Sequence, residues 1–517
     1  MAMGLTFSVA LTGCGNSGGS PDQETVEKQA EKETESGVSE SDDQSAKTSE
    51  EIAELELVVG YAVIMPEKED NFLEKKIRDA IGVDVTMNIL GAGSDYTTAL
   101  NARISGGDIP DMFQAPSTDA LMQYVENGLI LCLDDYLDQL QPLVDWVGGE
   151  NGIKPNRIGG KLYRVPKAPQ GIYDLLVVRQ DWLDKVGAEV PTTMEEALEV
   201  ARKLTFDDPD GNGVQDTYGF SGSGLFGFNA ILTSYGGATT NELYLSDKGL
   251  TSTLLSPRMK EGLEMCKRFV DAGVVDPDIV ANNPEVLRDK MAQCKIGMAS
   301  YDWANMYKQI NWDLITAVDP GADWIWMNPW DAQTGETPRY HIKSAVNTIG
   351  SWVISADVAD NPEKLDAVLK LLNYVVSEEG NRLVCYGEEG RHYNVEDGMI
   401  VKTDLMTTEC EYIWLYQIAS RNEMEYLSVK FPEAEGSIKA AMETDRIVTY
   451  TEAVIMPEDF HMEDMNKYIE ENIIGFIFGT RPISEYDQFI EELNTSFGFG
   501  EYMKIAEEQL KEQGYME

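Results

Sequence analysis

The residues best spaced for chemistry stand in Asp208-Pro209-Asp210-Gly211-Asn212-Gly213-Val214-Gln215-Asp216. Oxygen-bearing side chains recur at alternate positions of this run, and its glycines allow a tight wrap. A loop gathers hard oxygen ligands for calcium in this way, through the side chains of Asp208, Asp210, Asn212 and Asp216 and the carbonyl of Val214. Calcium would act here as a structural cofactor that staples the loop. The acid that usually closes such a set is absent, and Gly219 stands in its place. The alternative is a solvated Asp-Gly turn; the regular spacing favours calcium. Gly222-Ser223-Gly224-Leu225-Phe226-Gly227 matches G-x-G-x-x-G. It follows a turn-rich stretch rather than the first strand of a βαβ unit, so dinucleotide binding is not expected. The three histidines, His341, His392 and His461, stand in no H-E-x-x-H motif and beside no evident nucleophile. No P-loop occurs, so nucleotide hydrolysis would belong to a partner. With 90 acidic residues, carboxylate pairs arise by chance and no glycosidase pair can be read. The expectation is a protein that is not an enzyme.

Aromatic residues offer a different chemistry. Tyr301, Trp303, Tyr307, Trp312, Trp324, Trp326 and Trp330 crowd one region. Sugars present apolar C–H faces edged by hydroxyls, which a flat ring covers while nearby polar groups bond the edge. Ile296 to Ser300 reads as a buried strand, which puts Tyr301-Asp302-Trp303 at its exit. Trp324, Trp326 and Trp330 alternate in a loop-like context, and Trp326 and Trp330 are candidates for a cleft lining. Most aromatics in such a region are core residues. Arg391, beside His392 and Tyr393, either reaches a ligand hydroxyl or acidic sugar or pairs with Glu388 or Glu389.

The elements that must position these groups alternate. Leu55 to Tyr61 reads as a strand, Asn71 to Ile81 as a helix and Val83 to Ile89 as a strand. A helix over Thr97 to Ser105 ends at Gly106-Gly107, Pro110 to Phe113 is a short strand, and Gln123 to Gly128 closes another helix. Such alternation predicts an α/β domain with a largely parallel sheet. Ligands of open α/β sheets sit beyond the carboxyl ends of the strands, which puts Tyr61 and Gln114 at the mouth.

The chain has 517 residues and a net charge of −49, which argues against nucleic acid as a partner. Five cysteines, Cys132, Cys266, Cys294, Cys385 and Cys410, are scattered without C-x-x-C. They read as small buried hydrophobes, with a single bridge left open. The sixth is Cys14. The apolar run Met3 to Leu11 leads into Leu11-Thr12-Gly13-Cys14, which resembles a bacterial lipobox. The expectation is a signal peptide over residues 1–13, cleavage before Cys14 and lipid (palmitate) on its thiol. No Lys or Arg precedes the run, and Met1 reads as an internal start of a longer signal. Residues 14–56 form an expected disordered linker. Between Asn16 and Glu56 thirteen acids face three bases with no aromatic residue, so the segment self-repels and extends. About 460 residues remain, enough for two or three cores.

Asn101-Ala102-Arg103-Ile104-Ser105-Gly106-Gly107-Asp108-Ile109-Pro110-Asp111-Met112-Phe113, then Val125 to Ile130, resembles the family 1 extracellular solute-binding proteins. Leu162 to Pro166, Arg179 to Leu183, Val190 to Thr193, Leu371 to Tyr374, Tyr386 to Tyr393 and Phe476 to Gly479 agree in order and spacing. The resemblance implies an α/β, two-lobed periplasmic-binding-protein-like (type II) fold with a central ligand cleft and hinge. Lobe one would comprise residues 57–169 and 345–397, and lobe two residues 170–344 and 398–517. It implies a lipid-anchored protein on the extracellular face of the bacterial cell membrane. That protein captures a carbohydrate, an oligosaccharide above all, and delivers it to ABC transporter permease subunits. A non-sugar solute such as a peptide, or a surface glycan-active enzyme, is the alternative. Trp303 then falls where relatives stack a Trp on a sugar ring, and Phe226 falls near an aromatic platform. Gln114 takes a ligand-contacting position, and Tyr61 and Tyr173 are further candidates. Relatives often carry an acid just after the calcium loop's ninth position, where this chain has Thr217.

Overall fold

The computed structural model describes residues 52–168, 174–346, 350–457 and 459–517. The Cys14 motif, most of the acidic linker and Tyr173 lie outside them.

The first lobe is built on a sheet of Ala53–Val59, Val83–Ile89, Met112–Gln114 and Trp352–Ile354. Ala53–Val59 is central, parallel to both Val83–Ile89 and Met112–Gln114. Trp352–Ile354 joins antiparallel to Met112–Gln114, with Trp352 opposite Gln114. The largely parallel sheet expected from the alternation is present. Its helices start and stop where side chains dictate. Asn71 caps Phe72–Ile81 by accepting from the amides of Leu73 and Glu74, and Gly82 ends it in the left-handed region.

The lobe-one core draws on Leu55 to Val165 and again on Trp352 to Ala419. It therefore continues past residue 397, where the sequence reading turned to lobe two. Buried hydrogen bonds hold this later stretch in place. Tyr412 Oη donates to Asn71 Oδ1 at 2.9 Å, and Tyr416 Oη donates to Glu74 Oε1 at 2.7 Å.

The second lobe has a sheet ordered Tyr218–Ser221, Ile296–Asp302, Asp174–Arg179, Trp324–Met327. A smaller sheet joins Ile342–Ser344, Ile447–Thr449, Leu243–Ser246 and Gly249–Ser252. Its core takes in Trp182, Phe220, Phe269, Trp330 and the helix Met462–Phe478. The loop-like context expected for Trp324 and Trp326 is corrected: they belong to a strand paired antiparallel with Asp174–Arg179. The alternation is that of a pleat, with Trp324 at 8% exposure and Trp326 at 38%.

The chain leaves the lobe-one core after Val165, returns to it at Trp352 and leaves it again after Ala419, which makes three passages between the two cores. Lys167 Nζ donates to Gly350 O at 2.5 Å, which ties the first two passages together.

Candidate functional site: two walls at the strand ends

The lobe-one wall lies at the carboxyl ends of its strands. Gln114 is the last residue of its strand, and its carbonyl accepts from Tyr96 Oη at 2.5 Å. Tyr61 follows Ala53–Val59 and sets its ring edge-on to Trp414, centroids 4.8 Å apart. Burial raises the Tyr61 hydroxyl, and the Gln114 side chain opposes the shift. Gly350 adopts φ +62°, and a Cβ placed on it would stand 3.4 Å from both Lys167 Nζ and Tyr61 Oη and 3.8 Å from Gln114 Nε2. Three polar tips thus converge on one glycine, which a side chain would both strain and displace. Lys167 is pushed down to about 8, by burial first and then by the charges of Arg164 and Arg421.

The lobe-two wall is carboxylate-rich. Asp174 begins one strand and Asp302 ends the neighbouring antiparallel one, and the two are register partners. Burial raises both carboxyls; the Asp174 charge adds to the rise at Asp302, while Arg446 opposes it at Asp174. Asp302 also caps the helix Trp303–Tyr307, accepting from the amides of Ala304 at 2.8 Å and Asn305 at 3.3 Å. Phe226 is 38% exposed, and its ring centroid is 4.5 Å from that of His341. His341 is buried at φ +69°, and burial and Arg446 drive its imidazole down to about 3. It is neutral at physiological pH. Asp174, Phe226, Asp302, Asn305 and His341 share a cavity of about 100 Å³. Carboxylates and an amide beside an exposed ring suit a hydroxylated ligand with an apolar face.

The structure separates the other predicted residues. Trp303 does stand at the exit of Ile296–Asp302, but it is 1% exposed. Its ring packs edge-on to Phe431 and Tyr307, in a cluster with Leu427, Ala434 and Ile438. Trp330 is wholly buried, stacked on Phe269 and edge-on to Phe220. Trp326 is half-exposed beside Gly436. Arg391 is committed to Glu409 on the lobe-one surface, at 2.8 and 2.9 Å. Glu388, one of its expected partners, pairs instead with Lys76.

Asp208, Asp210, Asn212, Val214 and Asp216 form one loop. Gly213 N donates to the Asp208 carboxylate, Val214 N to Asn212 Oδ1, and Asn212 Nδ2 to Asp210 and Asp216. Burial and the nearby Asp216 and Asp208 raise the Asp210 carboxyl. Among the described residues no three acidic, Cys or His side chains meet in metal-holding geometry. The sequence's departures here have a packing cause. Thr217 is buried and donates to Leu204 O at 3.0 Å, so it faces the core. A Cβ on Gly219 would stand 2.1 Å from Ala201 O, which excludes any acid there.

Sequence reasoning missed Lys167, Asp174, Asn305 and His341. Lys167 and Asp174 bracket the first passage between lobes, and a lysine following Tyr163-Arg164-Val165-Pro166 was the available signal.

A family model described as bacterial extracellular solute-binding protein matches residues 67–382. The chain belongs to this family. Among curated members, it is 22% identical over 433 residues to the polygalacturonan/rhamnogalacturonan-binding protein YtcQ of Bacillus subtilis, spanning 77% of this chain and 80% of YtcQ. It is 26% identical over 207 residues to the fructooligosaccharide ABC transporter substrate-binding protein FusA of Streptococcus pneumoniae, 36% of this chain and 38% of FusA. The solved structure of FusA in complex with kestose matches at TM-score 0.68 and 18% identity, over 90% of this chain and 100% of FusA. The alginate-binding protein AlgQ2, solved without calcium ion, matches at TM-score 0.68 and 15% identity, over 89% and 98%. The fold is therefore the two-lobed one of solute-binding proteins.

Proposed function

We propose that this member of the family captures a carbohydrate, an oligosaccharide above all, between its lobes and delivers it to an ABC transporter permease. The observation that carries the reading is the lobe-two wall. Phe226 offers an exposed ring, and Asp174, Asp302 and Asn305 stand around it as hydroxyl-bonding groups. Tyr61, Gln114 and Lys167 supply polar tips from lobe one. The relatives named for polysaccharides and fructooligosaccharides support the same ligand class. Binding and release without turnover follow from this reading, because the buried carboxylates serve as acceptors for hydroxyls and no reaction is assigned to them. Lipidation at Cys14 would hold the protein on the extracellular face of the membrane, within reach of its permease.

Calcium belongs to the same reading as a structural staple. Three carboxylates crowd one exposed loop, and Asp210 is raised by burial first and then by its neighbours Asp208 and Asp216. Asp208, Asp210, Asp216, the Val214 carbonyl and the Asn212 amide oxygen are the donors that fit a hard cation.

A thermal-shift screen with neutral and acidic oligosaccharides tests the carbohydrate reading. A saccharide at a hundred times its Kd stabilises the folded chain by about 2.7 kcal/mol. Phe226→Ala is expected to weaken binding at least tenfold while leaving the melting temperature of the free protein within a few degrees. No shift with any saccharide, or chromatographic release of cleaved product from the best one, rejects the reading.

A further inference from the structure

Lys167 is a buried cation with no facing carboxylate in a chain of net charge −49, and the buried Arg164 near it has only the charge of Glu452 to offset its own. Lys167 is 9% exposed and Arg164 2%. Neither forms an ion pair with a carboxylate among the described residues. Arg164 spends its protons on the carbonyls of Asn156 and Pro155 and on Ser351 Oγ. Lys167 spends one of its three on Gly350 O. The nearby Arg421 differs, because Glu423 neutralises it through contacts of 2.9 and 3.1 Å. An unpaired buried charge is costly, and this chain had carboxylates in abundance to pair it. Leaving the pair unmade at the cleft mouth makes sense if the counter-ion arrives with the ligand.

The geometry around Lys167 says what kind of anion fits. Its ammonium group stands with Tyr61 Oη and Gln114 Nε2 around Gly350, and the Gln114 side chain bonds the Tyr61 hydroxyl. One cation with a hydroxyl and an amide donor suits a planar monoanion that accepts several bonds at once. Across the cleft, the exposed Phe226 ring and the hydroxyl-bonding groups beside it still require a sugar face. We infer that the captured saccharide bears a carboxylate, as a hexuronate unit does, and that Lys167 receives it while Tyr61 and Gln114 complete its bonds. This rests on the carbohydrate reading and narrows it to acidic saccharides. The strongly negative surface then sets a long-range repulsion that the local cations must overcome, so ionic strength affects approach and grip in opposite senses.

The test is calorimetric titration of the chain with trigalacturonate, with its fully methyl-esterified form, with neutral oligosaccharides of the same length and with a tripeptide. Removing one partner of a desolvated charge pair typically costs a factor of about 30 or more. The acid is therefore expected to bind at least about 30-fold more tightly than its ester. Lys167→Met should collapse that ratio and Lys167→Arg should retain most of it, with circular dichroism confirming that both fold. Equal binding of acid and ester, or tighter binding of a neutral oligosaccharide, overturns the inference and leaves the carbohydrate reading standing. A ratio that survives Lys167→Met overturns the role of Lys167. Binding of the tripeptide alone, or of no saccharide, defeats both readings.

Discussion

Lys167, the proposed receiver of the ligand's carboxylate, illustrates how a residue placed for binding weakens the fold that carries it. Its amino group is held at about 8 against an ordinary 10.5, by burial and by the charges of Arg164 and Arg421, with the un-ionised Tyr61 hydroxyl beside it. Between these two values the unfolded chain holds the proton and the folded chain does not. Stability therefore rises with pH across that window, and the full cost of the buried ammonium is present below it. Lys167→Met removes the cost. In urea unfolding at pH 7 it is expected to stabilise the protein by about 2 kcal/mol and to flatten the rise between pH 8 and 10. A wild-type slope in the variant would mean that Lys167 does not titrate as described. His341 obeys the same logic in a lower window, lowered by burial and then by the charge of Arg446. Driven down to about 3, it remains neutral against Phe226, and its contribution is lost only as pH falls from its ordinary 6.5 towards that value.

At the scale of elements, Trp303 and the calcium loop make separate predictions. The short helix Trp303–Tyr307 buries its first residue against Phe431, Leu427 and Ile438. For that ring to meet a ligand, the helices Glu423–Lys430 and Glu435–Glu443 would have to move off it. Trp303→Ala is thus expected to cost about 3 to 5 kcal/mol of stability, as large core deletions do. The readout that separates core from platform is affinity per folded molecule: a wild-type Kd in the folded fraction fits core packing, and a large loss fits direct contact. The loop from Asp208 to Asp216 predicts a melting temperature raised a few degrees by millimolar calcium, an effect that Asp210→Asn should abolish. An unchanged melting temperature in wild type contradicts the calcium assignment.

The same elements show what was legible in the sequence. Ala53–Val59, Val83–Ile89 and Phe72–Ile81 were readable because alternation, helical spacing and the Asn71 cap are local signals. Trp324–Met327 was not, since a four-residue edge strand acquires its identity from pairing with Asp174–Arg179. Tyr61 and Gln114 drew attention by standing at strand exits and Phe226 through the resemblance to sugar-binding proteins; the first two lie on the lobe-one wall and the third on the lobe-two wall. Lys167 and Asp174 escaped because their partners are remote: Lys167 meets Gly350 across 183 residues, and Asp174 meets Asp302 only through strand register. Trp303 drew attention by type and position, while its burial depends on helices far along the chain.

For the whole molecule, the parts form one mechanism. Two α/β lobes with separate cores, joined by three passages, allow hinge motion without loss of either core. The acceptor-rich wall and the ring belong to lobe two, and the cation and its polar neighbours belong to lobe one. A ligand that bridges them would hold the lobes closed in the form a permease can recognise. A lipid at Cys14, as proposed, would keep that closed form at the membrane. The bridging ligand proposed for the cleft is a saccharide. Calorimetric titration of the intact chain with a panel of oligosaccharides and peptides tests it most directly. One-to-one binding of a saccharide with a Kd near or below about 1 μM, lost in Phe226→Ala, is the expected result. Heat of binding from a peptide with none from any saccharide would contradict it.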